Sequence, residues 1–340
     1  MRASGANGGL GVLWLTPDKP TNISVGRRRI ADRLEADGFE VTLRGTTPRT
    51  LLRSLRERDK YDIVLGTTRS GAFAGALLKS FGKPLVVDHI DPIRQFADTR
   101  SKPLSLVVRA AENLAFRVAD HTLYVYEEER RRVHRYARAT TRTDLGVSYE
   151  RFANPDSTVV AQARERLHEA GVGADERLAV YAGGLEPIYH IGELLAAMEH
   201  LDDWTLVVLG TGSLAPAVER AAEREAVVFL GTVPHEAIPG YLHAADVGVS
   251  LVDDPHTLKV LEYAAAGLAV IQARGRAEER FDEYAEFCDP TPRAIAAAIE
   301  RAGERDTREA FREYASRFDY KRVAETYRTV LTEVVGQKAP

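Results

Sequence analysis

DVGVSLVDDPHTLKVLEYAAAGLAVIQA, residues 246–273, holds two short apolar runs, Asp246–Leu251 and Leu268–Ala273, on either side of a helical stretch at about 257–266. Apolar runs this short, rich in Val, Ile and Leu, are the pattern of strands buried on both faces. Strand, helix and strand in series predict a parallel sheet with helices packed on it. The same alternation extends upstream through LAVYAG (178–183), TLVVLG (205–210) and AVVFLG (226–231), with helices at about 192–200 and 213–224, and downstream into a helix at 292–302.

A second series occupies the first half, with strands GVLWL (11–15), EVTL (40–43), DIVLG (62–66), PLVVD (84–88) and HTLYV (121–125) and helices at Gly26–Asp37 and Leu104–Ala119. Between the series runs Leu145–Glu176, with Pro155, Gly171, Gly173 and one helix, Thr158–Ala170. Two further helices, Thr307–Arg317 and Lys321–Val335, have no strand behind them. The reading is α/β: a disordered tail (1–9), two doubly wound Rossmann-like domains (10–150 and 151–306) facing across a cleft, and terminal helices (307–340) that pack back toward the first domain. Ligands of such sheets bind beyond the carboxyl ends of the strands, so the loops after strands carry the functional signal.

Composition narrows the partners. The 340 residues are 44% apolar and 28% charged, ordinary for a globular chain of about two domains. The net charge of −4 hides an asymmetry: residues 1–150 carry 26 Lys/Arg against 18 Asp/Glu, leaving 20 against 32 for the rest. The basic half suits phosphates or anionic lipid, and the acidic half argues against nucleic acid. Cys288 is the only cysteine, so no internal disulfide forms. Leu10–Leu15 is too short for a signal-peptide core or a membrane span, which points to a cytoplasmic protein. Gly9–Gly11 precedes its strand instead of following it, so a dinucleotide fingerprint fails.

Within 250–271, Asp254 and Glu262 stand eight apart, one before the helix and one two turns into it. They suit the two ends of one elongated ligand, while the backbone N–H groups of His256, Thr257 and Leu258 at the helix start suit a phosphate. Sugar hydroxyls at one end and ribose hydroxyls at the other fit that layout.

This segment, with its K-x-x-E-Y-x-A-x-G run, resembles the family 4 retaining glycosyltransferases of group 1, which have the GT-B fold. LGVSYERF (145–152), VYAGGLEP (180–187), FLGTVPHEAIPGYLHAADVGVS (229–250) and the Glu112 to Arg132 segment are similar to that family's stretches in the same order. The resemblance implies transfer of a sugar from a nucleotide-diphosphate donor with retention and without a metal or other cofactor. It implies donor contacts at Gly183, Gly184, Thr232, Val233, Lys259 and Glu262, with Glu262 on the ribose and Asp254 on the donor sugar. The family's loop after the first donor strand carries a diphosphate-binding Lys; here the aligned positions are Tyr189 and His190, which leaves Lys259, Arg residues of the first domain and a protonated His190 as candidate cations. A binding protein that has lost turnover and a sugar-nucleotide epimerase of the same plan are the alternatives.

In the first domain Asn22, Ser24, Gly26 and Arg27 follow strand one and open a helix, a cradle for an acceptor or phosphate. His89 and Asp91, after the PLVVD strand, are candidates to orient an acceptor or relay its proton. Asp88, His89 and Asp91 match no metal-ligand spacing. The basic run EEERRRVHRYARATTR (127–142), with Arg130, Arg131 and Arg132, suggests peripheral contact with an anionic membrane holding a polyprenyl-linked acceptor.

Overall fold

The computed structural model describes residues 9–17, 25–173, 175–223 and 226–337, so most of the expected tail 1–9 lies outside the described residues. The chain divides into two compact units, Met1–Gly146 with Tyr320–Pro340, and Val147–Asp319.

In the first unit the order is β1 (Gly11–Thr16), α1 (Val25–Ala36), β2 (Glu40–Gly45), α2 (Pro48–Arg56), β3 (Ile63–Thr67), α3 (Thr68–Lys79), β4 (Leu85–His89), α4 (Ile93–Thr99), α5 (Lys102–Val118), β5 (His121–Tyr124), α6 (Arg130–Tyr136) and β6 (Thr140–Arg142). The second unit holds α7 (Tyr149–Ala153), α8 (Ser157–Glu169), β7 (Arg177–Gly184), α9 (Ile191–Ala197), β8 (Trp204–Thr211), α10 (Ala215–Ala221), β9 (Val227–Gly231), α11 (Ile238–Leu242) and β10 (Val247–Ser250). It continues through α12 (Leu258–Ala265), β11 (Ala269–Ala273), α13 (Glu278–Phe281), β12 (Glu286–Cys288), α14 (Pro292–Glu304) and α15 (Arg308–Ser316). The chain then returns to the first unit as α16 (Tyr320–Gly336).

Each unit contains one six-stranded parallel sheet, in the orders β2-β1-β3-β4-β5-β6 and β12-β11-β10-β7-β8-β9. Helices cover both faces, so β1, β3, β4, β10 and β11 are buried along their whole length, as their unbroken apolar runs require. Strand order reverses between β1 and β3 in the first sheet and between β7 and β10 in the second. A doubly wound sheet opens a crevice at its carboxyl edge at such reversals. The edge strands β6 (TTR) and β12 (EFC) are absent from the sequence reading, because three residues carry no apolar period.

The two terminal helices part company, contrary to the expectation that both pack on the first domain. In the second unit α15 carries Phe311 and Tyr314 onto Phe281 and Tyr284, with ring centroids 5.6 Å apart for Phe281–Phe311 and 5.1 Å for Tyr284–Phe311. By contrast, α16 places Tyr320, Val323, Tyr327 and Leu331 in the core that α1 shares with Val12 and Trp14. The Tyr327 hydroxyl donates to Asp88 Oδ1 (2.9 Å), Thr67 Oγ1 donates to Asp88 Oδ2 (2.8 Å), and Trp14 Nε1 donates to Thr67 Oγ1 (2.6 Å). Asp88 is buried, and that burial raises its pKa against the opposing Arg27 charge.

Tyr327→Phe strips one partner from a buried carboxyl and is expected to cost about 1–3 kcal/mol. Urea unfolding should show a lower midpoint at unchanged slope.

Candidate functional site

The second sheet's reversal point is built from the end of β7 and the β10–α12 connection. Tyr263, buried in α12, holds the two together: its hydroxyl accepts the Ala182 N–H at 2.9 Å. One turn earlier, Lys259 reaches back over the end of β7. Its Nζ donates to the Tyr181 hydroxyl (3.2 Å) and lies 4.2 Å from the Tyr181 ring centroid and 4.8 Å from that of Tyr189. Tyr181 in turn donates to the Gly184 carbonyl (2.6 Å), which shapes the turn out of the strand.

Gly183 carries a positive φ (+156°), and Gly210 is required for space. A Cβ on Gly183 would lie 2.7 Å from Lys259 Nζ, and one on Gly210 of β8 would lie 1.8 Å from the Gly183 carbonyl oxygen. The ammonium therefore sits directly over the first glycine of the loop where the resemblance expects a cation.

Among the described residues no carboxylate ion-pairs with Lys259. Burial pulls its pKa down to about 8, with Glu262 acting the other way. Glu262, three residues on and so on the same helix face, is pushed up to about 7 by burial, with Lys259 and Arg151 opposing. Glu262 Oε1 stands 4.0 Å from His235 Nε2, in the loop after β9 that also holds the exposed Thr232 and the half-buried Val233. Lys259 and Glu262 thus form a half-buried pair of opposite charges with no direct bond, one beside a glycine turn and one beside a loop.

Other expected donor contacts are already in use. Asp254 Oδ1 accepts the His256 N–H (2.9 Å) and the Asp254 carbonyl accepts the Thr257 N–H (3.3 Å). The expectation that His256 and Thr257 present free amides to a phosphate is therefore corrected: an Asp two residues upstream folds its own turn around them. Leu258 is the first helical residue. The His256 ring is buried, with Nδ1 2.6 Å from Arg280 Nη1. His190 has a left-handed backbone (φ +53°) and its Nδ1 lies 3.7 Å from Glu193 Oε1, so its ring serves the start of α9.

In the first unit Asn22 and Ser24 lie outside the described residues. Gly26 and Arg27 fall in the first turn of α1, and a Cβ on Gly26 would lie 3.4 Å from the Tyr320 hydroxyl. His89 is only 4% exposed, which corrects its expected place at an open edge. Its Nε2 lies 2.9 Å from Glu129 Oε2 and 3.2 Å from Arg132 Nη2, and Arg132 also binds Glu112 at 2.8 Å. Arg69 completes this buried network through Glu112 (2.8 Å). The reason is charge: two buried carboxylates and two guanidiniums neutralise one another, and the imidazole fills the remaining position. Asp91, by contrast, is partly exposed, 4.0 Å from Arg69 Nη1.

The basic run is corrected as well. The run forms a 3-10 turn at Glu127–Glu129 and a short α-helix at Arg130–Tyr136, Arg132 is buried in the network, and Val133 and Tyr136 face the core, so no face alternating Arg with apolar residues is presented.

Residues 176–304 match the family model described as Glycosyl transferases group 1. They form a glycosyltransferase domain. No curated protein sequence matches the chain. Among solved structures, sucrose-phosphate synthase from Thermosynechococcus elongatus is similar over 97% of this chain and 100% of its own, at 17% identity and a TM-score of 0.75. HepE of Anabaena in complex with UDP and glucose is similar over 95% and 100%, at 17% identity and a TM-score of 0.74. A glycosyltransferase from Rickettsia africae covers 96% and 99%, at 13% identity and a TM-score of 0.71. The two-unit architecture is thus the GT-B fold, and the matched glycosyltransferase domain contains β7, α12 and the Lys259–Glu262 pair.

Two titrations bound the working range of this pair. Lys259 is cationic below about pH 8 and Glu262 anionic above about pH 7. Affinity for a nucleotide-sugar, whose diphosphate diester has no group titrating there, should peak between these values and fall on both sides. Glu262→Gln should abolish the acid limb and move the basic limb to lower pH, because Glu262 no longer holds the Lys259 pKa up. Calorimetry across that range checks both, and a flat profile overturns the assignment.

Proposed function

We propose that the chain transfers a glycosyl group, with retention, from a nucleoside-diphosphate sugar to a lipid-linked or glycan acceptor bound through the first unit. The observation that carries this is Lys259: a half-buried ammonium with no carboxylate ion-paired to it among the described residues, beside a glycine turn at the reversal point of a parallel sheet. A desolvated cation is costly unless something anionic meets it, and a diphosphate is the anion that a glycosyltransferase domain handles.

The chemistry follows from those positions. Departure of the sugar leaves negative charge on the diphosphate, and a fixed ammonium stabilises that charge where it develops. Lys259 thereby supplies the charge that a loop Lys or a divalent ion would otherwise supply, so the reading needs no metal or other cofactor. Glu262 accepts the ribose hydroxyls. Asp254, whose Oδ1 accepts the His256 amide, lies at the helix mouth and contacts the donor sugar. Deprotonation of the acceptor falls to the donor's own phosphate oxygen, since His89 is committed to its network. Asp91 and Arg27 are the charged groups proposed to orient the acceptor. The HepE complexes hold UDP with glucose and UDP-glucose, which makes UDP-sugars the first donors to test.

Lys259→Met keeps the packing length against Tyr181 and Tyr189 but removes the charge. It is expected to weaken UDP binding by about tenfold or more and to lower turnover further, because the leaving-group charge exceeds that of the bound donor. Calorimetry with UDP, followed by an assay of UDP release from UDP-sugars, reads both. Unchanged affinity and turnover would sink the Lys259 assignment, and tight donor binding without release for any acceptor would sink the transferase reading.

A further inference from the structure

Eight of the nine large apolar side chains exposed among the described residues lie in the first unit, on α2, α3, the turn after α3, and α5. These three helices cover the same face of the first sheet, since Leu51 and Leu55 of α2, Leu78 of α3 and Phe116 of α5 share one core, whereas α1 and α16 lie on the other face.

On α5 the buried residues Ser105, Glu112, Ala115 and Phe116 mark the inward side. The opposite side carries Leu106, Val107, Ala110 and Leu114 at helical spacing, with Leu106 and Val107 each 65% and Leu114 59% exposed. On α3 and the turn after it, Phe73, Leu77 and Phe81 point outward in the same way. A surface helix normally turns its apolar stripe inward; these two carry one on each side. Eight exposed apolar side chains gathered on the helices that cover one face of one sheet point to a docking site.

Charge identifies the occupant. The three helices contain a single acidic residue, Glu112, and it is buried and paired with Arg69 and Arg132. Their exposed cations are Arg49, Arg53 and Arg56 on α2 and Lys102, Arg109 and Arg117 on α5, with Arg53 also meeting Glu57 just beyond α2. Outward apolar groups ringed by cations, with no exposed carboxylate on the helices, complement an anionic bilayer: the apolar groups enter the acyl boundary while Lys and Arg stay at the headgroups. A second copy of the same face would meet cation with cation.

We propose that the α2–α3–α5 face of the first unit docks on an anionic phospholipid bilayer. The proposal rests on the lipid-linked acceptor reading for its purpose. The docking itself is measured without donor or acceptor, so it fails or stands independently of the Lys259 test.

The test is cosedimentation of the full chain with phosphatidylcholine vesicles and with vesicles containing phosphatidylglycerol, at low and high salt. The expected result is binding to the anionic vesicles that weakens with salt, and little binding to phosphatidylcholine alone. Leu106→Ser with Val107→Ser and Leu114→Ser should lower the partition coefficient by about tenfold or more. Arg109→Ser with Arg117→Ser should lower it less and reduce its salt dependence. Unchanged UDP affinity and melting temperature in both variants would show that each remains folded. Absence of wild-type binding to anionic vesicles, or equal binding to both compositions, overturns the proposal. So does a wild-type dimer in size-exclusion chromatography that the triple Ser variant dissociates, which would assign the face to a second copy of the chain.

Discussion

Lys259 is the constraint around which the second unit's site is arranged. Taking an ammonium partly out of water without a bonded carboxylate is unfavourable, and the surrounding groups show what that required. Two tyrosine rings take its faces, the Tyr181 hydroxyl takes one hydrogen, and Gly183 gives up a side chain so that the ammonium can lie over the backbone. Tyr263 then ties the helix carrying Lys259 to the strand carrying Tyr181. Each of these groups depends on its neighbours, so the geometry at the end of β7 is held by packing before any ligand arrives.

The first unit solves a related problem by the opposite means. Its buried charges, Arg69, Glu112, Glu129 and Arg132, neutralise one another and enclose His89. A network with matched charges fixes the loops after β4 and β5 and leaves no group in surplus. The second unit instead holds Lys259 and Glu262 near each other without a direct bond, and that difference is what the proposed anion site rests on.

Much of the fold was legible because its signals are local. Runs such as PLVVD and TLVVLG read as buried strands from a handful of consecutive residues, and the helices between them set the sheets parallel. The K-x-x-E-Y segment is legible because it resembles a family motif and its Lys259, Glu262 and Tyr263 lie close together on one helix. Less legible was whatever depends on a partner far along the chain. Tyr181 looked like an ordinary strand residue, since nothing near it in sequence reveals a lysine 78 positions away. His89 looked like a loop histidine at an open edge until Glu129, 40 positions on, closed over it.

The sequence by itself therefore determined two parallel α/β sheets, the loops where ligands belong, and the residue types able to meet a nucleotide sugar, because periodicity, turn chemistry and short motifs are properties of neighbouring residues. Tertiary structure decided which of those residues are free to act. It consumed the His256 and Thr257 amides in a turn, buried His89 among charges, sent α15 and α16 to different units, and faced the apolar stripe of α5 outward. Each of these depends on which of several similar groups comes within bonding distance, and only the packed chain settles that.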